Sequence, residues 1–514
     1  MTSCSLMAFL PELVILAGAL ALFVITLGEN RGAQARFAAL IIAVLTIVAT
    51  VISFHQEATL FSGAYRVDLF SQILKLAFGS GLLILLLLHG NLSDIREDVK
   101  PEYYLFLSLS VSGLMMLVSS VELITLVVSL ELSAFPLYLM IPMRRERDGH
   151  RVQMESAIKY MMFGIAANGI MLFGMSYLFG LTGTTNLQKL LPALQPVLNS
   201  PLAIAGLALA FAGLYYKLAI FPFHFWTPDV YQGASNETAS LIASLPKIGG
   251  VAVLVRLVSL ASPDSKAIAL LLAGLAVCSM FYGNLIALMQ KDFKRLLGFS
   301  GIAHAGYALV GFVALDQAGF AAAIYYIVGY LFMVLACFLV ICKVSRDGEN
   351  VAIEELAGLH RRSPLLAVTL AVGVFALAGI PPFVGFMGKV SLLKAAFAKG
   401  YLVLVILAMV NAAIAVYYYL SVVREAYFRD AGDLPVIKLD WTTRTACVLL
   451  IGAILALGVM PEKLMSSISD SIAKANLGAP SAVVMENAPT RPSSQAACAV
   501  SGAPQISAQT GFQN

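Results

Sequence analysis

The run GLYYKLAIFPFHFWTPDVYQGA, Gly213 to Ala234, closes an apolar segment that begins near Leu202. Into that segment it brings Lys217, Pro222 and His224, residues that a membrane helix should avoid. The surroundings make the anomaly sharp. The 514-residue chain is 60% hydrophobic and only 12% charged, whereas a soluble protein keeps roughly 25% charged residues. The balance implies a polytopic membrane protein. A net charge of +4 gives no reason to invoke nucleic acid.

Counted with a ruler of about 20 apolar residues per span, the chain holds roughly 14 transmembrane helices. The connections are short and leave no room for a soluble catalytic domain. Loops after odd-numbered helices carry about 20 Lys and Arg, and the opposite side about 7. Odd loops are therefore expected to be cytoplasmic and both termini periplasmic. The first apolar segment is long enough to span, shows no cleavage pattern and is expected to be retained. Six scattered cysteines form no CxxC pair and read as small hydrophobes. The tail from 475 to 514, rich in Ala, Ser, Pro and Gln, is expected to be disordered.

A second interrupted segment, AGIPPFVGF (Ala378 to Phe386), answers AIFPFHF (Ala219 to Phe225) in the other half of the chain. Spans interrupted by Pro in corresponding halves point to a transport route built from inverted repeats. Pro222, Pro381 and Pro382 are the expected hinges, freeing backbone carbonyls along the route.

Five ionisable residues fall on five spans at mid-bilayer depth: Glu131, Lys217, Lys247, His304 and Lys389. Even on the lenient insertion scale a central charge costs about 2.5–3.5 kcal/mol. Four of them have a bland alternative. Glu131 could be a protonated acid bonded to a neighbouring helix, and Lys217 could snorkel. Lys389 could anchor a helix end, as Lys394 does, and His304 could bond a backbone carbonyl. Together they read as a polar row for protons or ions. His224 follows Lys217 by two helical turns, a secondary relay position if the helix continues. At an effective dielectric of about 20, unit charges 4 Å apart interact by about 4 kcal/mol. A carboxylate moving toward or away from a buried amine can therefore load or unload it.

The same residues carry a resemblance. KLAIFPFHFWTPDVYQGA (Lys217 to Ala234), ASLPKIGG (Ala243 to Gly250), SGIAHAGYALVG (Ser300 to Gly311), ESAIKYMMFG (Glu155 to Gly164) and GIPPFVGFMGK (Gly379 to Lys389) resemble the antiporter-like, proton-translocating membrane subunits of respiratory complex I, relatives of Mrp antiporter subunits. The strings Asp229 to Gly233 and Ser-Leu-Pro-Lys247 match the N branch rather than the L and M branches. The resemblance implies an all-α fold of 14 helices: an N-terminal segment 1–100, inverted five-helix repeats at 101–260 and 261–430, and a final helix within 431–474, with helices 7 and 12 broken. It implies Glu131 and Lys217 as a coupling pair, Lys247 as the central relay and Lys389 at the exit, with His304 matching the family's histidine of helix 10. It implies partner subunits A, H, J, K, L and M and a peripheral NADH-oxidising arm. FMN, iron–sulfur clusters and quinone would sit in those other subunits, with no cofactor or metal on this chain. After Ala234 the family usually continues Pro-Thr, whereas this chain reads Ser235-Asn236-Glu237-Thr238. An Mrp-type cation/proton antiporter, a membrane subunit of a proton-pumping hydrogenase, and a structural subunit with vestigial charges are the competing readings.

Overall fold

The structure, a computed structural model, describes residues 3–146, 151–263, 265–432 and 434–477. The expected disordered tail lies outside the described residues from 478 onward, as does part of the basic loop Arg144 to Arg151.

In hydrocarbon a backbone must satisfy its own hydrogen bonds, so apolar runs of this length become helices. Among the described residues twelve helices are long and apolar enough to cross a membrane, from Gly32–Ile52 to Trp441–Val459. Two further apolar helices, Leu10–Thr26 and Pro364–Ala378, are shorter. The one described sheet is a hairpin, Ala58–Leu60 against Tyr65–Val67. It leads into Asp68, whose carboxylate caps the Leu69–His89 helix by accepting from Ser71 N at 2.8 Å.

Burial sorts the helices. Asn236–Val258 and Phe293–Val313 are wholly enclosed, and Gln317–Val344 nearly so. Leu402–Phe428 and Trp441–Val459 turn much of their surface outward, with Val403, Met409 and Val448 exposed. The segment from 431 to 474 is not one helix. Trp441–Val459 ends at Met460, and Pro461 starts a second helix, Pro461–Lys474. Proline suits a first helical turn but cannot continue a preceding ladder. That last helix buries Ile468 and Ile472.

Both interrupted spans break in the same way. Ala212–Leu218 ends where Ala219 turns left-handed (φ 62°), with Ile220 N donating to Tyr215 O at 2.8 Å. Pro364–Ala378 ends where Gly379 turns left-handed (φ 86°), with Ile380 N donating to Phe375 O at 3.0 Å. These are Schellman-type terminations, which close orphan carbonyls when a helix stops inside apolar surroundings. Pro222 and Pro382 each follow a cis peptide bond within these breaks. Helices restart at Trp226–Gly233 and Val384–Ala398. A third discontinuity has no counterpart among the sequence expectations. Ser244 (φ −114°, ψ −86°) separates Asn236–Ala243 from Leu245–Val258 just before Lys247. Pro246 has no N–H to return to the preceding turn, and Ser244 Oγ instead donates to Ser240 O at 2.6 Å.

Outside the central row, Lys75 and Glu12 form an ion pair at 2.6 Å with neither side chain exposed, and Tyr65 Oη donates to Glu12 at 2.5 Å. Removing one member of a buried pair strands the other charge, at about 3–5 kcal/mol. Glu12→Gln is expected to destabilise the detergent-solubilised protein by that order, read as thermal unfolding. Glu12→Gln with Lys75→Met should recover most of the loss; a double variant as unstable as the single one would reject the pairing account.

Candidate functional site

Glu131 sits midway along Leu123–Met140. One of its oxygens accepts a hydrogen bond from the Asn168 amide on Val152–Thr182. Lys217 is at the last turn of Ala212–Leu218, 3% exposed, and its Nζ donates to Ser133 Oγ at 2.5 Å. Ser133 in turn donates to Leu130 O at 2.7 Å. Among the described residues no ion pair joins Glu131 to Lys217. Ser133, two residues after Glu131 on the same helix, takes the place that a carboxylate would occupy. The amine and the acid are neighbours held by separate partners.

His224 is placed differently from its sequence expectation. The helix stops at Leu218 and restarts at Trp226, so the two-turn spacing from Lys217 has no helix to run along. The imidazole is enclosed by Phe221, Phe225 and Tyr282, with ring centroids 5.4, 4.4 and 4.1 Å away. Neither ring nitrogen has a hydrogen-bond partner among the described residues. At this first break the carbonyl of Tyr216 is taken by the Trp226 indole at 3.1 Å. Asp229, from the same stretch, holds Lys159 and Arg295 at 2.8 and 2.9 Å. It clamps the restarted helix to its neighbours.

Lys247, His304 and Lys389 form one assembly. Lys247 Nζ donates to Gly301 O at 3.0 Å and lies 5.0 Å over the Tyr330 ring. The same ring lies near His304, whose ring centroid is 5.0 Å away. His304 is clasped from both ends: Nδ1 pairs with Tyr326 Oη at 2.5 Å and Nε2 with Tyr419 Oη at 3.0 Å. Its ring is 6.4 Å from that of Tyr307, and Tyr307 carries Lys389 Nζ at 4.8 Å. The sequence runs Lys247, Tyr330, His304, Tyr307, Lys389. An aromatic face offers an ammonium favourable quadrupole contact without a counter-charge. These amines are therefore held in apolar surroundings with no fixed carboxylate attached.

Lys389 supplies the clearest use of a broken helix. Its Nζ donates to Leu377 O at 3.1 Å and Ala378 O at 3.0 Å, carbonyls at the end of Pro364–Ala378. Such groups lack intrahelical partners, and the amine fills that need. Lys389 also lines a cavity of about 530 Å³ with Phe386, Lys394 and Met409.

Sequence reasoning passed over the residues that hold the ionisable ones: Asn168, Ser133 and the tyrosines 307, 326, 330 and 419. Tyrosine is apolar enough to hide in a span, and its hydroxyl gives no depth anomaly. The signal available was density, Tyr325-Tyr326 with Tyr330 and the triplet Tyr417 to Tyr419. Asn284 and Asn411, buried and joined at 3.2 Å, were legible as polar residues within spans.

Comparison with known proteins bears on the whole chain. The family described as NADH:quinone oxidoreductase/Mrp antiporter, TM, matches residues 120–415. NADH-quinone oxidoreductase subunit N 2 of Opitutus terrae is 63% identical over 470 residues, covering 91% of this chain and 98% of the relative. The protein of the same name from Solidesulfovibrio magneticus is 42% identical over 461 residues, covering 90% and 97%. A chain of respiratory complex I from Thermus thermophilus with bound aureothin superposes with a TM-score of 0.76 at 29% identity, covering 89% of this chain and 99% of that one. A chain of the Mrp complex from Dietzia sp. superposes with a TM-score of 0.82 at 20% identity, covering 94% and 99%, a likeness of fold.

Proposed function

This chain belongs to the NADH:quinone oxidoreductase/Mrp antiporter family of membrane proteins, and from that premise we propose that it is the N-type proton-translocating subunit of an NADH–quinone oxidoreductase. Electron transfer from NADH through FMN and iron–sulfur clusters to quinone takes place in other subunits, and this chain moves protons. It lies in the bacterial inner membrane beside subunits A, H, J, K, L and M, with both termini periplasmic, the arrangement that the Lys and Arg distribution favours. Identity to curated subunit N relatives along nearly their full length supports the assignment.

The observation that carries the mechanism is the row from Lys247 through His304 to Lys389, three ionisable groups on three helices joined by two tyrosine rings. Glu131 and Lys217 stand at its head. When the Glu131 carboxylate leaves Asn168 and approaches Lys217, the amine gains a charge partner worth about 4 kcal/mol at 4 Å and takes up a proton. When the carboxylate withdraws, the proton is released toward Lys247. Moving one charge against 100 mV requires about 2.3 kcal/mol, within that swing. His304, paired at both ring nitrogens with tyrosine hydroxyls, relays to Lys389. The carbonyls of Leu377 and Ala378 and the adjoining cavity make Lys389 the exit.

Lys217→Met in the intact complex is expected to lower NADH-driven proton uptake into inverted vesicles at least about tenfold, on the scale of a lost proton-transfer group, with assembly unchanged on native gels. Full pumping would remove Lys217 from the route. Glu131→Gln together with Lys247→Met tests the structural-subunit reading, which expects unchanged pumping. Sodium-dependent proton exchange by the isolated chain would favour the Mrp-type antiporter reading, and copurification with hydrogenase subunits the third.

A further inference from the structure

The relay just described begins at Lys217 and Lys247, yet neither has a described route to the cytoplasmic side. Three observations converge on the start of the Asn236–Val258 span. The first is Glu237 itself, 3% exposed in the first turn of Asn236–Ala243, with Oε2 lacking a hydrogen-bond partner among the described residues. It lies in the stretch Ser235-Asn236-Glu237-Thr238, which departs from the family's usual Pro-Thr continuation after Ala234. A buried carboxyl with unspent bonding capacity is costly unless it does something.

The second is the face on which it lies. Glu237 and Ser240 lie three residues apart on one side of Asn236–Ala243, and Ser244 is the break residue that follows it. Lys247 follows one turn later, its N–H bonded to Ser244 O at 3.2 Å. Ser240 Oγ donates to Glu237 O at 2.6 Å and Ser244 Oγ to Ser240 O at 2.6 Å. The Ser240 and Ser244 hydroxyls lie between Glu237 and Lys247 in the chain, groups that single waters can bridge.

The third is what surrounds the acid. From Leu69–His89, His89 Nε2 pairs with Ser240 Oγ at 3.2 Å, and Nδ1 has no described partner. From Phe293–Val313, fully buried Lys294 donates to Ala234 O at 2.9 Å, the residue closing the preceding helix. Lys294 and Gly301 are two turns apart on that helix, so the face that meets Glu237 continues to the carbonyl holding Lys247. Tyr103 and Thr238 face the same space. On the loop side stands the ion pair Arg144–Asp94 at 2.7 Å. Arg144 also binds the carbonyls of Gln232 and Gly348, and Asn236 binds Glu349 O. These loop contacts form a cover over the acid that a shift of Arg144 would open.

We propose that Glu237 is the proton-uptake residue of this subunit, taking protons from the cytoplasmic side beneath the Arg144–Asp94 cover and passing them by way of Ser240 and Ser244 to Lys247. In each cycle the Glu237 carboxylate binds one proton and becomes neutral. The proton moves through the hydroxyls and intervening water to the unprotonated Lys247 amine, and Glu237 returns to its anionic form. His89 orients Ser240 for that transfer. This rests on the relay reading of Lys247, and the two fail differently.

The test uses inverted vesicles holding the assembled complex, with proton uptake and NADH oxidation measured together. Glu237→Gln is expected to cut proton uptake roughly tenfold or more, with Glu237→Asp recovering a substantial part because a carboxyl remains. Glu237→Gln also changes the charge balance around buried Lys294, so it is combined with Lys294→Met. The assembled double variant should stay as slow as Glu237→Gln. Parental pumping by either assembled Gln variant, while Lys247→Met remains blocked, overturns the uptake role and leaves the relay standing. Parental pumping by Lys247→Met as well overturns the relay and, with it, this proposal.

Discussion

Lys247→Met is expected to lower proton translocation by about 10²-fold or more while the complex still assembles and still oxidises NADH when uncoupled. Lys247 is 1% exposed, and among the described residues its Nζ donates to Gly301 O and lies over the Tyr330 ring. Methionine matches its shape and apolar stem but carries no proton. The informative companion is Lys247→Arg. Arginine keeps a positive charge and can bond the same carbonyl, but it does not give up its proton at any relevant pH. A structural or purely electrostatic role is rescued by Arg, whereas a relay is not. Near-parental pumping in Lys247→Arg would reject proton transfer through this side chain. Both measurements are made as proton uptake per NADH oxidised in inverted vesicles.

A second large effect is expected from a residue with no chemistry of its own. A Cβ on Gly301 would lie 2.8 Å from Lys247 Nζ and 3.1 Å from Tyr330 Oη. Both are far ends of side chains and can move, so Gly301→Ala should leave folding largely intact. What it should not leave intact is the position of the amine, which must retreat from the Gly301 carbonyl and from the ring that leads to His304. Misplacing a reacting group by about 1 Å can cost 10²-fold. Gly301→Ala is therefore expected to depress pumping by one to two orders of magnitude with a melting temperature close to that of the parent. Pumping at the parental rate would show that the Lys247–Tyr330–His304 geometry is not rate-determining. A collapsed melting temperature would show that the contact is structural instead.

The sequence by itself determined the solvent, the element type and the anomalies. Apolar runs of span length leave the backbone no alternative to helix, and depth within a span is a count along the chain. Lys217, Lys247, His304 and Lys389 were visible for that reason, as were the breaks at Pro222 and Pro381-Pro382. Glu237 was visible only as a departure from the family pattern, since an acid two residues into a helix ordinarily reads as a solvated first turn. Partners were decided by the tertiary structure. Asn168 opposite Glu131, Ser133 opposite Lys217, and the tyrosines between Lys247, His304 and Lys389 come from different helices. Their meeting depends on rotation and lateral packing, which no periodicity along one chain encodes. The break at Ser244 and the isolation of His224 among aromatic rings belong to the same class. Depth is a one-dimensional property of a membrane segment, while proton transfer needs atoms within hydrogen-bond reach, and only three-dimensional packing supplies that.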